Sequence, residues 1–325
     1  MNRPLIRYHG SKWRLAPWII SHLPEHKVYI EPFGGSAGVL LRKPNSFHEV
    51  YNDLDKDLYN FFKVLQCNEK SGKLRQKLIE TPFSREEFDL SYIHSDDPVE
   101  EARRLIVRSR FGFSSAATNR NYKTGCRATS IRATNTAAQD WYDLHNHVDF
   151  YQKRLKGVVI ENRDAFSLIA SSDSEKALFY IDPPYLHDTR HEGSERCYQH
   201  EIDNSQHEDL LQIILQLKGK VVLSGYNHDL YNDYLNNKCW QKVSKSALTD
   251  GRKKKNEVLW IKNNENPQSL GALAAARVKK QKTESLITSA ISKLNKENKR
   301  VTKTAVSRIV CISREQIAKR YQHLF

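Results

Sequence analysis

The stretch Phe179-Tyr180-Ile181-Asp182-Pro183-Pro184-Tyr185 decides how this chain is read. Ala177 to Ile181 is a short apolar run of strand type, ended by an acid, two prolines and an aromatic ring. Two prolines fix φ twice and remove two backbone donors, so the chain must leave the sheet there as a stiff, extended loop. The carbonyls of Asp182 and Pro183 are then left without ladder partners, beside a carboxylate that faces a cleft. A row of acceptors next to an aromatic ring suits a planar ligand bearing an amino donor. Asp-Pro alone is also a common strand-ending turn, so the weight of the motif depends on the rest of the chain.

Working upstream, Lys27-Val28-Tyr29-Ile30-Glu31-Pro32-Phe33-Gly34-Gly35-Ser36-Ala37-Gly38-Val39-Leu40-Leu41 reads as a strand passing through a glycine-rich turn into a helix. Such a turn lets backbone approach a nucleotide-type cofactor closely. About twenty residues later, a second strand ends in acids at Asn52-Asp53-Leu54-Asp55, where this fold class places a carboxylate for ribose hydroxyls. Nearer the N-terminus, Tyr8-His9-Gly10-Ser11-Lys12-Trp13 forms an anion-friendly loop before a helix at about Leu15–Leu23. Further strands are predicted at Gly157–Glu161, Ala177–Ile181, Lys220–Ser224, Gln241–Val243 and Glu257–Ile261, with helices at Ala165–Ala170 and Ser205–Leu217. Seven strands in this alternation predict an α/β fold with a mostly parallel sheet and ligands at the carboxyl ends of its strands. Glu31, Asp53, Asp164 and Asp182 all fall at such ends.

At 325 residues the chain has room for two or three units, and no apolar run approaches the twenty residues of a membrane span. No apolar leader segment is visible at Met1–Tyr8, and the five scattered cysteines lack a C-x-x-C pair. A reducing, cytoplasmic setting without a disulfide framework or zinc site is expected. The net charge of +14 implies a polyanionic partner. Residues 265–325 carry 13 Lys+Arg against 4 Asp+Glu, so a basic module follows a nearly balanced body.

Within that body, Arg103 to Gln139 holds eight basic residues and no acid, which predicts a phosphate-facing surface. The region from about 58 to 155 has helical patches but no convincing strand of the main sheet. Its tail, Phe111 to Thr136, reads as a loop or hairpin that could settle against DNA. Residues 263–282 read as a polar linker, helical toward their end. In 283–325, Leu286, Ile287, Ala290, Ile291 and Leu294 fall at helical spacing. Thr302 caps a second helix, Cys311-Ile312 makes a turn, and Ser313 caps a third. This resembles a helix-turn-helix, with Arg314, Gln316, Lys319 and Arg320 exposed on its recognition helix.

Over roughly residues 5–262 the chain resembles the class-alpha, Dam-type family of adenine-specific DNA methyltransferases, on a Rossmann-like S-adenosylmethionine fold. The motifs that carry the resemblance occur in the family's order: the Tyr8…Lys12 loop, Glu31-Pro32-Phe33-Gly34-Gly35, Asp53, Asp164 and Asp182-Pro183-Pro184-Tyr185. One position departs: Ala37 stands where the family's Phe-x-Gly-x-Gly loop has its second glycine. The resemblance implies that Tyr8, Lys12, Glu31, Phe33, Gly34, Gly35, Ala37, Asp53, Asp164 and Asp182 form the cofactor site. It implies that Asp182 and the Pro183 carbonyl bind the target amine, with Pro184 stiffening the loop and Tyr185 stacked on a flipped adenine of double-stranded DNA. Direct in-line methyl transfer then needs no covalent intermediate and no metal. By position, 58–155 corresponds to target recognition, with Arg110, Asn119, Arg120, Lys123 and Arg127 as DNA contacts. A cognate restriction endonuclease is a partner that the resemblance leaves open.

RNA, cytosine and protein-glutamine methyltransferases share the Pro-Pro-aromatic loop but usually begin it with Asn or Ser, and Asp182 argues against them. A DNA-binding regulator with a decayed enzyme domain is the contrasting class; here every expected catalytic position is filled. A nicotinamide dehydrogenase would have no use for Asp-Pro-Pro-Tyr.

Overall fold

A computed structural model describes residues 3–127, 136–190, 198–248, 254–262, 269–297, 299–310, 312–321 and 324–325. The chain divides into two compact units, Met1–Asn266 and Pro267–Phe325. The first contains a seven-stranded sheet: β1 (Val28–Glu31), β2 (His48–Asn52), β3 (Val158–Glu161), β4 (Ala177–Ile181), β5 (Lys220–Tyr226), β6 (Trp240–Leu248) and β7 (Lys254–Lys262). Its strand order is β3-β2-β1-β4-β5-β7-β6. The first five strands run parallel, and β7 lies antiparallel between β5 and β6. The chain winds outward from β1 in one direction and from β4 in the other, so a topological switch point falls between these two strands. Both are almost wholly buried. The carboxyl ends of β1 and β4 therefore open a crevice that the Pro32–Gly35 and Asp182–Pro184 loops border.

The helices are α1 (Ala16–Ile20), α2 (Lys56–Gln66), α3 (Asn68–Glu80), α4 (Arg85–Leu90), α5 (Pro98–Phe111), α6 (Ala137–Tyr142), α7 (Val148–Leu155), α8 (Ala165–Ser171), α9 (Asn204–Gln216), α10 (Asp229–Leu235), α11 (Ser269–Lys296), α12 (Lys303–Val310) and α13 (Arg314–Arg320). Local chemistry fixes their starts. Asp55 caps α2 by accepting from the Asp57 amide at 2.8 Å, and Asp97 caps α5 with Pro98 in the first helical turn. Asp203 and Gln206 form a reciprocal capping box at α9.

The inserted helices α3–α7 share one hydrophobic core with the sheet. Tyr29, Tyr51 and Leu178 of the strands belong to the same buried cluster as Phe61, Phe88, Leu105, Phe111, Trp141 and Tyr151. The N-terminal segment laces the insertion to the sheet unit. Arg110 donates to the carbonyls of Pro4 and Leu5, the Tyr151 hydroxyl accepts from the Leu5 amide, and the Arg7 amide donates to Ser109 Oγ.

Three expectations change. No regular helix follows the Gly34–Gly35 turn. The Leu40 amide, which would enter a helix ladder, donates instead to Glu31 Oε2 at 3.1 Å, and Pro44 ends the segment. Strands β6 and β7 run longer than their apolar cores suggested, because each extends past the end of β5 as a two-stranded ribbon. The stretch expected as a linker at 263–282 is helical from Ser269, and residues 263–268 lie outside the described ones. In the second unit, Ile287, Ala290 and Leu294 of α11 bury with Val306 of α12, Ile317 of α13 and Tyr321 just beyond it, whereas Leu286 is exposed. The Ala305 amide donates to Thr302 Oγ1, as the cap predicts. Cys311 lies outside the described residues.

Candidate active site

The crevice between β1 and β4 is a cleft of about 410 Å³ whose walls include Tyr8, Lys12, Glu31, Phe33, Gly34, Gly35, Asp53, Asp164 and Asp182. Every cofactor residue expected from the sequence except Ala37 lines it. Ala37 is buried directly behind, with φ +53°. That is the left-handed conformation for which glycine is the easy choice, so the substitution leaves the turn's backbone geometry in place at a steric cost of about 1 kcal/mol. Gly35 adopts φ +49° in the same loop. Gly34 is required by close approach, since a Cβ there would lie 2.1 Å from the Tyr51 ring.

The end of β2 clasps this loop. Tyr51 Oη donates to the Gly35 carbonyl at 2.8 Å, and the Gly34 amide donates to the Asn52 carbonyl at 2.8 Å. Asp53 Oδ2 accepts from the Gly35 amide at 2.7 Å, and its Oδ1 accepts from the Asp55 amide at 2.9 Å. Asn52 was not anticipated. Its amide group donates to the carbonyls of Pro32 and Arg163 and its Oδ1 accepts from the Arg163 amide, which joins the loops after β1, β2 and β3. Asp164 caps α8 by accepting from the Ser167 amide at 2.7 Å. Beside it, Phe33 and Phe166 meet edge to face with centroids 6.5 Å apart.

At the other end of the cleft lies a cluster of charges. Lys12 Nζ stands 2.8 Å from Asp182 Oδ2 and 3.8 Å from Glu257 Oε1, and it donates to the Gly10 carbonyl at 2.9 Å. The Tyr185 hydroxyl reaches Asp182 Oδ1 at 3.0 Å and bonds to Glu257 Oε1. Ser224 Oγ donates to Glu257 Oε1 at 2.7 Å. Burial pushes the Asp182 carboxyl up to about 6, with Lys12 pulling it down and Glu257 pushing it up. Burial works against the Lys12 ammonium, but Asp182 and Glu257 outweigh it and hold its pKa above the ordinary lysine value. Burial also raises Asp53, and raises Asp55 to about 7 with Asp53 and Asp57 nearby.

Tyr185 does not form a wall of the cleft. Lys12 lies 4.7 Å over its ring, Tyr226 meets it edge to face, and its hydroxyl turns inward to the two acids. Pro183 is buried, while Asp182 and Pro184 face the cleft. Tyr198, Glu201 and Ile202 close another side, and no sequence signal pointed to them. Among the described residues no group of three or more His, Cys, Asp or Glu could hold a metal ion.

Glu31 sits on the floor, where its Oε2 accepts from Tyr29 Oη at 2.9 Å and from the Leu40 amide. Burial raises its pKa to about 8, against the pull of the Tyr29 hydrogen bond. A carboxyl raised in this way stabilises the fold fully below its unfolded pKa, and that stability is lost as pH rises through about 8. Between pH 7 and 9 the loss is about 1.4 kcal/mol. Glu31→Gln keeps the acceptor and removes the titration. Its melting temperature, measured without cofactor, is expected to match the parent chain near pH 7 and exceed it at pH 9. Parallel curves would place the titration elsewhere.

The expected DNA contacts of the insertion are corrected by their surroundings. Arg110 is only 8% exposed, and burial lowers its pKa to about 9. Its guanidinium is spent on the Pro4 and Leu5 carbonyls. Arg120 pairs with Asp57 and Glu101, and Arg108 with Asp57. Arg103 pairs with Glu87 and Glu100, and Arg104 with Glu100. Asn119 is buried. Arg103, Arg104, Arg108 and Arg120 are thus neutralised by acids outside the acid-free stretch and do not form a free phosphate-facing surface. Lys123 remains exposed beside Asp89, and Arg127 is half-buried with its guanidinium on the Arg110 carbonyl. Residues 128–135 lie outside the described ones. In the second unit Arg314 is exposed, and the side chains of Gln316, Lys319 and Arg320 lie outside the description.

Residues 8–258 match the family profile of the D12 class N6 adenine-specific DNA methyltransferases. The DNA adenine methylase of Vibrio cholerae serotype O1 is 25% identical over 193 residues, 56% of this chain and 65% of that protein. That of Haemophilus influenzae is 25% identical over 198 residues, 57% of this chain and 64% of its own length. A DNA N-6-adenine-methyltransferase of Escherichia phage P1 is 36% identical over 64 residues, 20% of this chain and 8% of that protein. The chain thus spans just under two thirds of the first two relatives. The profile runs from Tyr8 on the cleft wall to Val258, one residue past Glu257, and so takes in the whole cleft: the chain belongs to the D12 class N6 adenine-specific DNA methyltransferase family.

Proposed function

We propose that this chain transfers a methyl group from S-adenosylmethionine to the exocyclic amino nitrogen of a flipped adenine in double-stranded DNA. The observation that carries the reading is the placement of Asp182 at the end of β4, directly across the switch point from the Pro32–Gly35 loop. The lining fits the cofactor. Asp53 and Asp164 offer acceptors to hydroxyl and amino donors, and the Phe33–Phe166 pair offers an apolar face to a purine. When bound, S-adenosylmethionine supplies an electrophilic methyl group.

The chain's own residues then orient the amine. Asp182 accepts one amino hydrogen and the Pro183 carbonyl the other, which turns the nitrogen lone pair away from both. Two prolines hold these acceptors on a stiff loop, so little conformational freedom is lost on binding. Asp182 accepts more strongly when ionised, and Lys12 favours that form. The base cannot reach the crevice within a duplex, so flipping is required. In a host without adenine methylation, expression of the chain is expected to leave modified adenine at one short motif across the genome, read by single-molecule sequencing. Soluble protein that binds S-adenosylmethionine but modifies no DNA base would refute it.

We place target recognition in 58–155, with Lys123 and Arg127 as its remaining basic candidates. The Pro267–Phe325 unit serves as a second, sequence-tolerant DNA contact through Arg314, Gln316, Lys319 and Arg320. A chain ending at Asn266 is expected to methylate the same motif but to bind DNA on the order of tenfold more weakly at 0.1 M salt. Its salt slope should fall by about one for each phosphate that the missing unit no longer neutralises. Fluorescence anisotropy across a salt series checks this, and a changed motif would overturn the division.

A further inference from the structure

We infer that Glu257 is a positioning residue for methyl transfer: it claims the single hydroxyl proton of Tyr185 and so leaves Asp182 Oδ1 free to accept from the substrate amine. This rests on the reading that Asp182 receives that amine. Glu257 lies on β7, and the antiparallel course of β7 brings it level with Tyr226 at the carboxyl edge of the sheet. It is buried, at 4% exposure, and its Oε1 receives both Tyr185 Oη and Ser224 Oγ. Tyr185 Oη also touches Asp182 Oδ1 at 3.0 Å. A phenol has one proton to give. With Glu257 present that proton has a nearer acceptor than Asp182, and Lys12 occupies only Oδ2 of Asp182. Without Glu257 the proton turns to Asp182 and competes with the amine for Oδ1, weakening and redirecting the bond that the amine makes.

The charges around Asp182 make the effect readable. It is faced by Lys12 and Tyr198 from the loops over the cleft, by Tyr180 and Tyr185 on its own strand and loop, by Glu31 on β1, by Tyr231 on α10 and by Glu257 on β7. Of these, Lys12 favours the Asp182 carboxylate by charge and hydrogen bond, Glu257 disfavours it by like charge, and the Tyr185 hydrogen bond favours it. The phenols are all shifted upward and stay neutral.

Glu257→Gln therefore has two signatures. The plateau kcat falls roughly 10- to 100-fold, the scale of one misdirected hydrogen bond to a charged group, with the Kd for S-adenosylmethionine little changed. The acid limb of kcat also moves to lower pH. In a Tyr185→Phe background the same substitution should add far less than it costs alone, because its route runs through that hydroxyl. Glu257→Asp, a second variant if the glutamine chain folds poorly, keeps the charge and the acid limb but loses kcat by displacing the acceptor. Parental kcat and an unmoved limb in folded Glu257→Gln, or parental kcat in Glu257→Asp, overturn the proposal. So does a lowered Tm with kcat per folded chain unchanged. A parent that fails to methylate adenine sinks the functional reading instead. In that case Tm against pH without cofactor still decides, since coincident curves for Glu257→Gln and parent would show that Glu257 leaves Asp182 unperturbed.

Discussion

Asp182→Ala lowers kcat for methyl transfer on the order of 10³-fold, the scale of removing one preorganised polar partner of a reacting group. Its affinity for S-adenosylmethionine stays within a few-fold of the parent chain. The split follows from where the carboxylate sits. Asp182 stands at the Lys12 end of the cleft, while the Gly34–Gly35 backbone, Asp53 and Asp164 are organised from β1, β2 and β3 through Tyr51 and Asn52. None of those bonds involves Asp182. The fold should survive, because Glu257 remains 3.8 Å from Lys12 and keeps the ammonium paired. Asp182→Asn is a weaker probe, since its amide hydrogens would face Lys12. Initial rates on unmethylated genomic DNA and calorimetric titration with cofactor check both halves. Lost cofactor affinity with kcat retained would move Asp182 to the cofactor's side of the site.

Much of this site was legible in the sequence because its parts are local. Each of the four parallel strands β1 to β4 is a short run stopped by Glu, Asn-Asp or Asp-Pro, and its end is where the ligand-facing residue must stand. The glycine turn was likewise readable, and Ala37 at φ +53° shows that the backbone demand persists where the glycine does not. What failed was inference from charge counted along one dimension. Arg120 finds Asp57 across 63 residues, and Arg103 finds Glu87 sixteen residues upstream. Arg103, Arg104, Arg108 and Arg120 of a run without acids therefore became a salt-bridged lattice, as the burial of a cation requires. Glu257 was passed over for the opposite reason. It opens the apolar strand Glu257–Ile261 and reads as a strand-edge charge; only the antiparallel course of β7 carries it to Tyr185 and Lys12.

Lys12→Met tests the electrostatics from the other side. Methionine keeps most of the volume over the Tyr185 ring but removes the cation that Asp182 and Glu257 share. An opposite charge favours the ionised form of an acid, so its loss raises the Asp182 pKa beyond about 6. A larger share of the acid is then protonated at pH 7, and a neutral carboxyl is a weaker acceptor for the amine than a carboxylate. Methyl transfer at pH 7 is expected to fall on the order of 10²-fold, with substantial recovery by pH 9. The acid limb moves to higher pH, opposite to the shift expected for Glu257→Gln, and the opposed signs separate charge from packing. Stability follows the same linkage. The folded pKa of Asp182 lies above its unfolded value, so the stability it contributes is present below about 4 and is lost as pH rises through the folded pKa. Raising that folded pKa extends the loss upward, so the Tm deficit of Lys12→Met should widen between pH 5 and pH 8. Lys12→Arg, which keeps the charge, should leave the limb in place. A uniform fall in rate at every pH, with Tm curves parallel to the parent, would assign Lys12 to the cofactor alone and remove it from the control of Asp182.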